Sequence, residues 1–114
     1  AGTNNSNLKN NYNTVKFNLG KGFFDTKQQF LGTMIGDHTK IGISTMLNTG
    51  TFIGIGCNVF GYGFQKKYIK SFSWGSENEK IDIEKLLDTC TKVLARREKR
   101  LIKEEENFIR FLYK

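Results

Sequence analysis

Proline is missing from this 114-residue chain, histidine and tryptophan occur once each, and there are only two cysteines. Cys57 and Cys90 have no second Cys or His at metal-ligand spacing. That excludes a zinc knuckle and argues against a disulfide framework, so both read as buried thiols. No apolar run approaches the roughly 18 residues of a membrane span. Residues 1–20 lack a basic region followed by an apolar stretch, which argues against a signal peptide. The expectation is a cytoplasmic protein with no membrane partner.

What is present fits one small folded domain. Hydrophobic residues make up 38% and include ten Phe and four Tyr, too much apolar material for a disordered chain. Eighteen Lys and Arg face eleven Asp and Glu, a net charge of +7 that favours anionic partners. The excess is spread out: residues 1–80 carry nine basic and four acidic groups, residues 81–114 nine and seven. A nucleic-acid-binding domain shows a sharper stripe, so phosphorylated small molecules are the expected ligands and nucleic acid is not.

Residues 1–28 crowd seven asparagines with Gly and Lys and read as loop. Residues 29–64 are Gly-punctuated and nearly uncharged, and residues 65–81 form a polar, aromatic connector. From Asp82 the apolar residues Ile83, Leu86, Leu87, Cys90, Val93 and Leu94, then Leu101, Ile102, Phe108, Ile109 and Leu112, recur at helical spacing. Asp82 is the expected N-cap, with Ser76 and Glu79 a competing capping box. The run Glu104-Glu105-Glu106 suits the first turn of a second helix, which places a break near residues 99–102.

The middle of the chain repeats every six residues. Hexads open at Ile35, Ile41, Leu47 and Ile53, and Val59 begins another. Position two is Gly in three of four, and position five is Thr39, Thr45, Thr51 and Cys57. An aliphatic residue every six fills the inside of a triangular coil, with a small residue beside it and a position-two Gly expected to supply the positive φ of a corner. The expected fold is therefore mainly β, a left-handed parallel β-helix of roughly two coils over residues 1–64. A loop is inserted at about residues 8–28, a connector follows at 65–81, and a helical extension occupies 82–114.

The repeat resembles the hexapeptide-repeat family of trimeric acyltransferases. Ala1-Gly2-Thr3-Asn4-Asn5-Ser6-Asn7 is similar to an Ala-Gly-Thr-x-x-x-Asn segment of the N-acetylglucosamine-1-phosphate uridylyltransferase/glucosamine-1-phosphate acetyltransferase family. Ser6-Asn7-Leu8-Lys9-Asn10-Asn11-Tyr12, Met34 to Lys40, Asn48-Thr49-Gly50-Thr51, Ser71-Phe72-Ser73-Trp74-Gly75 and Ala95-Arg96-Arg97 resemble the C-terminal part of the Bacteroidetes-type variant of this bifunctional enzyme. The likeness runs over almost the whole chain. It implies an acetyltransferase-type domain that takes acetyl from acetyl-CoA to an amino-sugar 1-phosphate in nucleotide-sugar biosynthesis, as a homotrimer. Mg2+ would belong only to an upstream nucleotidyltransferase domain. The alternative is a structural or trimerisation domain of a sugar-1-phosphate nucleotidyltransferase without acyl transfer.

The resemblance places coenzyme contacts on Ala1, Asn7, Ile43 and Gly61, although a family Tyr is Leu8 here, a Ser is Ile43 and an Ala is Gly61. It places the family's histidine base ahead of Ala1, so no catalytic or metal-binding residue is expected in this chain. Thr3 fits position five of a hexad that starts before Ala1, which reads as the C-terminal piece of a longer protein. Relatives also carry prolines that this chain lacks.

From the residues themselves, Lys9, Tyr12 and Lys16 suit either a sugar phosphate, since an ammonium and a phenol both bond phosphate oxygens, or a solvated loop. Lys66, Lys67 and Lys70 suit either coenzyme phosphates or a solvated connector. His38, at an outward hexad position, reads as a surface or subunit-contact residue, Cys57 as packing, and Trp74 as an anchor for the connector.

Overall fold

The structure is a computed structural model that describes residues 2–75 and 79–114. Among the described residues nine short strands precede two helices: β1 (Asn4–Asn5), β2 (Lys16–Asn18), β3 (Phe23–Asp25), β4 (Met34–Ile35), β5 (Lys40–Ile41), β6 (Met46–Leu47), β7 (Phe52–Ile53), β8 (Asn58–Val59), β9 (Tyr68–Ile69), α1 (Ile83–Ala95) and α2 (Lys103–Tyr113).

Strands β4 to β8 start six residues apart, because each hexad contributes one extended pair ending on its inward aliphatic residue. Successive segments then pair in parallel. Met34 lies beside Phe52 and Phe52 beside Tyr68, Lys40 lies beside Asn58, and Asn4 lies beside Met46. Leu47, Ile53, Cys57 and Val59 form the core under these pairs. The hydroxyls of buried Thr45 and Thr51 donate to the carbonyls of Gly42 and Asn48, three residues back, at 2.7 Å. Cys57 Sγ makes the same contact with the Gly54 carbonyl at 3.6 Å, so the thiol takes the place of a threonine hydroxyl.

This arrangement corrects the mainly-β left-handed parallel β-helix expected from the period. The strands are two or three residues long and fall into four small separate sheets, one of them antiparallel. The helices, of 13 and 11 residues, hold more of the chain than all the strands together. The fold is a mixed one, short stacked strands with a helical pair. A corner in every hexad leaves only two residues free to pair, too few for a continuous sheet.

The corners are also displaced from where the sequence puts them. The left-handed residues are His38 (φ 61°), Ser44 (59°), Gly50 (74°) and Gly56 (64°), the fourth position of each hexad. Position two is glycine for a different reason, which is the closeness of stacked segments. A Cβ on Gly36 would lie 2.6 Å from the Gly54 carbonyl carbon.

Two elements appear where the sequence reads as loop or connector. Within residues 8–28, β2 and β3 form an antiparallel hairpin with Lys16 opposite Asp25 and Phe17 opposite Phe24. Its turn is set by Asn18 Oδ1, which accepts the Gly20 N–H at 2.9 Å. Val15 and Phe17 are buried, anchoring the hairpin. Within the connector, β9 adds to β7 after a step of 16 residues rather than 18, so it falls outside the period. Trp74 packs edge-on against Phe60 at 5.8 Å and ties the connector to β8.

Helix α1 starts as expected, with Asp82 accepting the Lys85 N–H at 3.0 Å. Ser76 of the competing capping box lies outside the described residues. The chain leaves α1 after Ala95 and re-enters helix at Lys103, with Glu104 to Glu106 in the first turn of α2. The second helix folds back on α1. Arg110 binds both carboxylate oxygens of Glu84, at 2.5 and 3.0 Å, and also Glu106. The Tyr113 hydroxyl donates to the Ile81 carbonyl at 2.8 Å, with its ring edge-on to Phe72. Phe72, Ile81, Leu86, Leu87, Cys90 and Ile109 form the second core. Among the described residues no helix is long and apolar enough to cross a membrane.

Candidate functional site

The bridge between Met46 and Phe64 brings the end of the strand region against Asn48 and Thr49. The loop after β1 closes over the same place, with the Ser6 N–H donating to the Leu47 carbonyl at 3.0 Å. The result is a cavity of about 460 Å³ whose polar wall is Lys9, Lys67, Asn10, Asn11, Asn48 and Thr49. The Thr49 hydroxyl is buried there without a hydrogen-bond partner among the described residues. Two ammonium groups beside amides and a hydroxyl match a phosphate carried on a polyol.

A second cavity, of about 690 Å³, is lined by Phe60, Gly61, Tyr62, Tyr68, Lys66 and Lys70 among others. Gly61 takes φ 135° here, a conformation a side chain resists. Aromatic faces with lysines at the rim suit a flat base and its phosphates. Phe64 belongs to the lining of both cavities, so they adjoin.

The residues singled out from the sequence are therefore divided. Lys9 falls in the first cavity and Gly61 in the second, while Asn7, Tyr12, Lys16 and Ile43 line neither. Asn7 is exposed, and its carbonyl accepts the Leu31 N–H at 3.0 Å. Tyr12 is an exposed turn residue at φ 60°, Lys16 pairs across the hairpin with Asp25, and Ile43 is 81% exposed on a turn. Ala1 lies outside the described residues. Lys67 is separated from its neighbours Lys66 and Lys70 and joins Lys9, a partition no sequence spacing reveals because β9 is out of period. Asn48 and Thr49 were legible only as part of a family segment.

His38 is half-buried and lines neither cavity. Burial pushes the thiols of Cys57 and Cys90 up, which keeps them protonated and makes them packing groups, not nucleophiles. Among the described residues no cluster of His, Cys, Asp or Glu is placed to hold a metal ion. No protein-family model matches the chain, and no curated protein matches it. The family likeness therefore rests on the quoted segments.

Proposed function

We propose that the chain is the acyltransferase-type C-terminal part of a cytoplasmic sugar-1-phosphate nucleotidyltransferase, acting as a homotrimer. It would present an amino-sugar 1-phosphate to acetyl-CoA, so that the amine takes the acetyl group and the coenzyme thiol leaves. The observation that supports this most is the pair of adjoining cavities, one suited to a sugar phosphate through Lys9 and Lys67, the other to a coenzyme through its aromatic wall and Lys70. The chain's part is binding and orientation, and deprotonation of the amine is assigned to none of its residues.

A second reading is a structural or trimerisation domain without acyl transfer. It is favoured by Ile43, an apolar side chain 81% exposed at the position where the resemblance calls for a hydroxyl contact.

Calorimetric titration of the chain with glucosamine 1-phosphate and, separately, acetyl-CoA tests the first reading. Lys9→Gln and Lys67→Gln should each weaken the sugar phosphate by about tenfold, the loss of one charge-assisted bond, and leave acetyl-CoA unchanged. Lys70→Gln should do the reverse. Binding of neither ligand, with a trimer in light scattering, gives the case to the structural reading.

A further inference from the structure

A third cavity, of about 610 Å³, is lined by residues of β5, β8 and α1 together with Trp74, and it shares no lining residue with the two cavities above. Trp74, Ile81 and Leu86 give it an apolar wall. Ile81 and Leu86 are buried, while Trp74 is held edge-on by Phe60 and keeps 42% of its surface open.

The charges on this cavity are unevenly committed. The Asp82 carboxylate caps α1, and Asp88 pairs with Lys92 at 2.6 Å. The Lys80 ammonium donates to the Tyr113 carbonyl and lies 3.8 Å above that ring. Lys85 has no ion-pair partner among the described residues, and the Lys40 ammonium makes a single 3.3 Å bond to the His38 carbonyl. Among the described lining residues the one remaining carboxylate is Glu79.

An aromatic face beside two weakly engaged cations is complementary to a ligand that is flat at one end and anionic at the other. The lysines favour a phosphate head, because ammonium groups act as point charges on a tetrahedral anion whereas a planar carboxylate is better met by an Arg fork. We infer that this cavity seats a small aryl phosphate, with its ring against Trp74 and its phosphate within reach of Lys40 and Lys85.

Trp74 is the only tryptophan of the chain, so its fluorescence reads the site directly. Phenyl phosphate should quench it saturably, and phenol or inorganic phosphate should need at least about tenfold higher concentration, each lacking half of the contacts. Lys40→Gln and Lys85→Gln should each weaken phenyl phosphate severalfold and together nearly abolish the response, while Lys85→Arg retains it. Lys70→Gln, which tests the coenzyme cavity, should leave it unchanged, so failure of the two readings is distinguishable. A response that persists in the Lys40→Gln/Lys85→Gln double variant overturns the assignment. So does a non-saturable response in the unmodified protein, loss in Lys85→Arg, or equal quenching by phenol.

Discussion

A side chain on Gly54 would meet the backbone of Ser71, its Cβ 2.5 Å from the Ser71 nitrogen and 2.6 Å from the Ser71 Cα. Gly36 stands behind Gly54 in the same way, so Gly36, Gly54 and Ser71 form a column of close backbone approaches. The Ser71 hydroxyl closes it by accepting the Ile55 N–H at 3.1 Å.

Gly54→Ala must push two stacked segments apart, and overpacking of this kind costs about 1–3 kcal/mol. Gly42 has a gentler neighbourhood, with the Phe60 Cβ at 3.2 Å, and Gly42→Ala should cost less. Urea midpoints of the two variants check the order. An equal cost would show that position two is not a contact between stacked segments.

The corners give a prediction of opposite sign. Ser44 is exposed and held at φ 59°, where an L side chain is strained by roughly 1–2 kcal/mol. Glycine removes that strain and returns part of the gain as chain entropy, so Ser44→Gly should stabilise by about 0.5–1 kcal/mol. Ser44→Val, whose branched side chain resists this conformation more, should destabilise. A Ser44→Gly variant that melts below the unmodified protein would contradict the corner assignment.

How much of this was legible follows from what a period can encode. The aliphatic column of Leu47, Ile53 and Val59, the small inward Thr45, Thr51 and Cys57, and the Asp82 cap are local patterns, and each is found in place. The hexad also marks where strands start, yet it is silent on how many residues pair, and two per segment do not make the extended sheet a mainly-β fold needs. Glycine in the sequence shows that a side chain is excluded without showing why. Gly36 and Gly54 read as corners and are instead points of contact, while the corners at His38 and Ser44 carry side chains. The hairpin at Lys16 to Asp25 was hidden by asparagines that signal turns. One of them, Asn18, does make the turn, but as the link between two strands. For the candidate site the hidden step was tertiary: Lys9 and Lys67 are far apart in sequence and line one cavity, Lys67 standing just ahead of β9, whose pairing with β7 falls outside the period.

Ile35 and Ile53 occupy the same hexad position and are paired in adjacent strands, yet Ile53 is fully buried and Ile35 is 49% exposed. Ile53→Ala should cost about 2–5 kcal/mol through lost burial and a cavity, whereas Ile35→Ala should cost well under half of that in the isolated chain. If the chain associates through the face that carries Ile35, the two costs converge as protein concentration rises. Thermal melts of both variants over a hundredfold concentration range separate the cases.

The attachment of α2 should be sensitive to acid through Glu84. The Arg110 side chain, by hydrogen bond and charge, holds the Glu84 carboxyl below the usual carboxylate range, and the same contacts push the guanidinium further up. Because the folded-state value of Glu84 is depressed, its contribution is fully present above the unfolded value of about 4. It is lost as pH falls through the lower folded value. Glu84→Gln removes that contribution at every pH. The gap in urea midpoint between the unmodified protein and Glu84→Gln should therefore be widest near neutrality and shrink below about pH 4. Asp25 is depressed in the same direction by the Lys27 N–H and the Thr14 hydroxyl, but it is present in both proteins and cancels in the difference. Both partners are substantially exposed, so molar salt should narrow the neutral-pH gap as well. A gap that stays constant from pH 7 to pH 2.5 would mean that the carboxylate holds α2 by packing and not by charge.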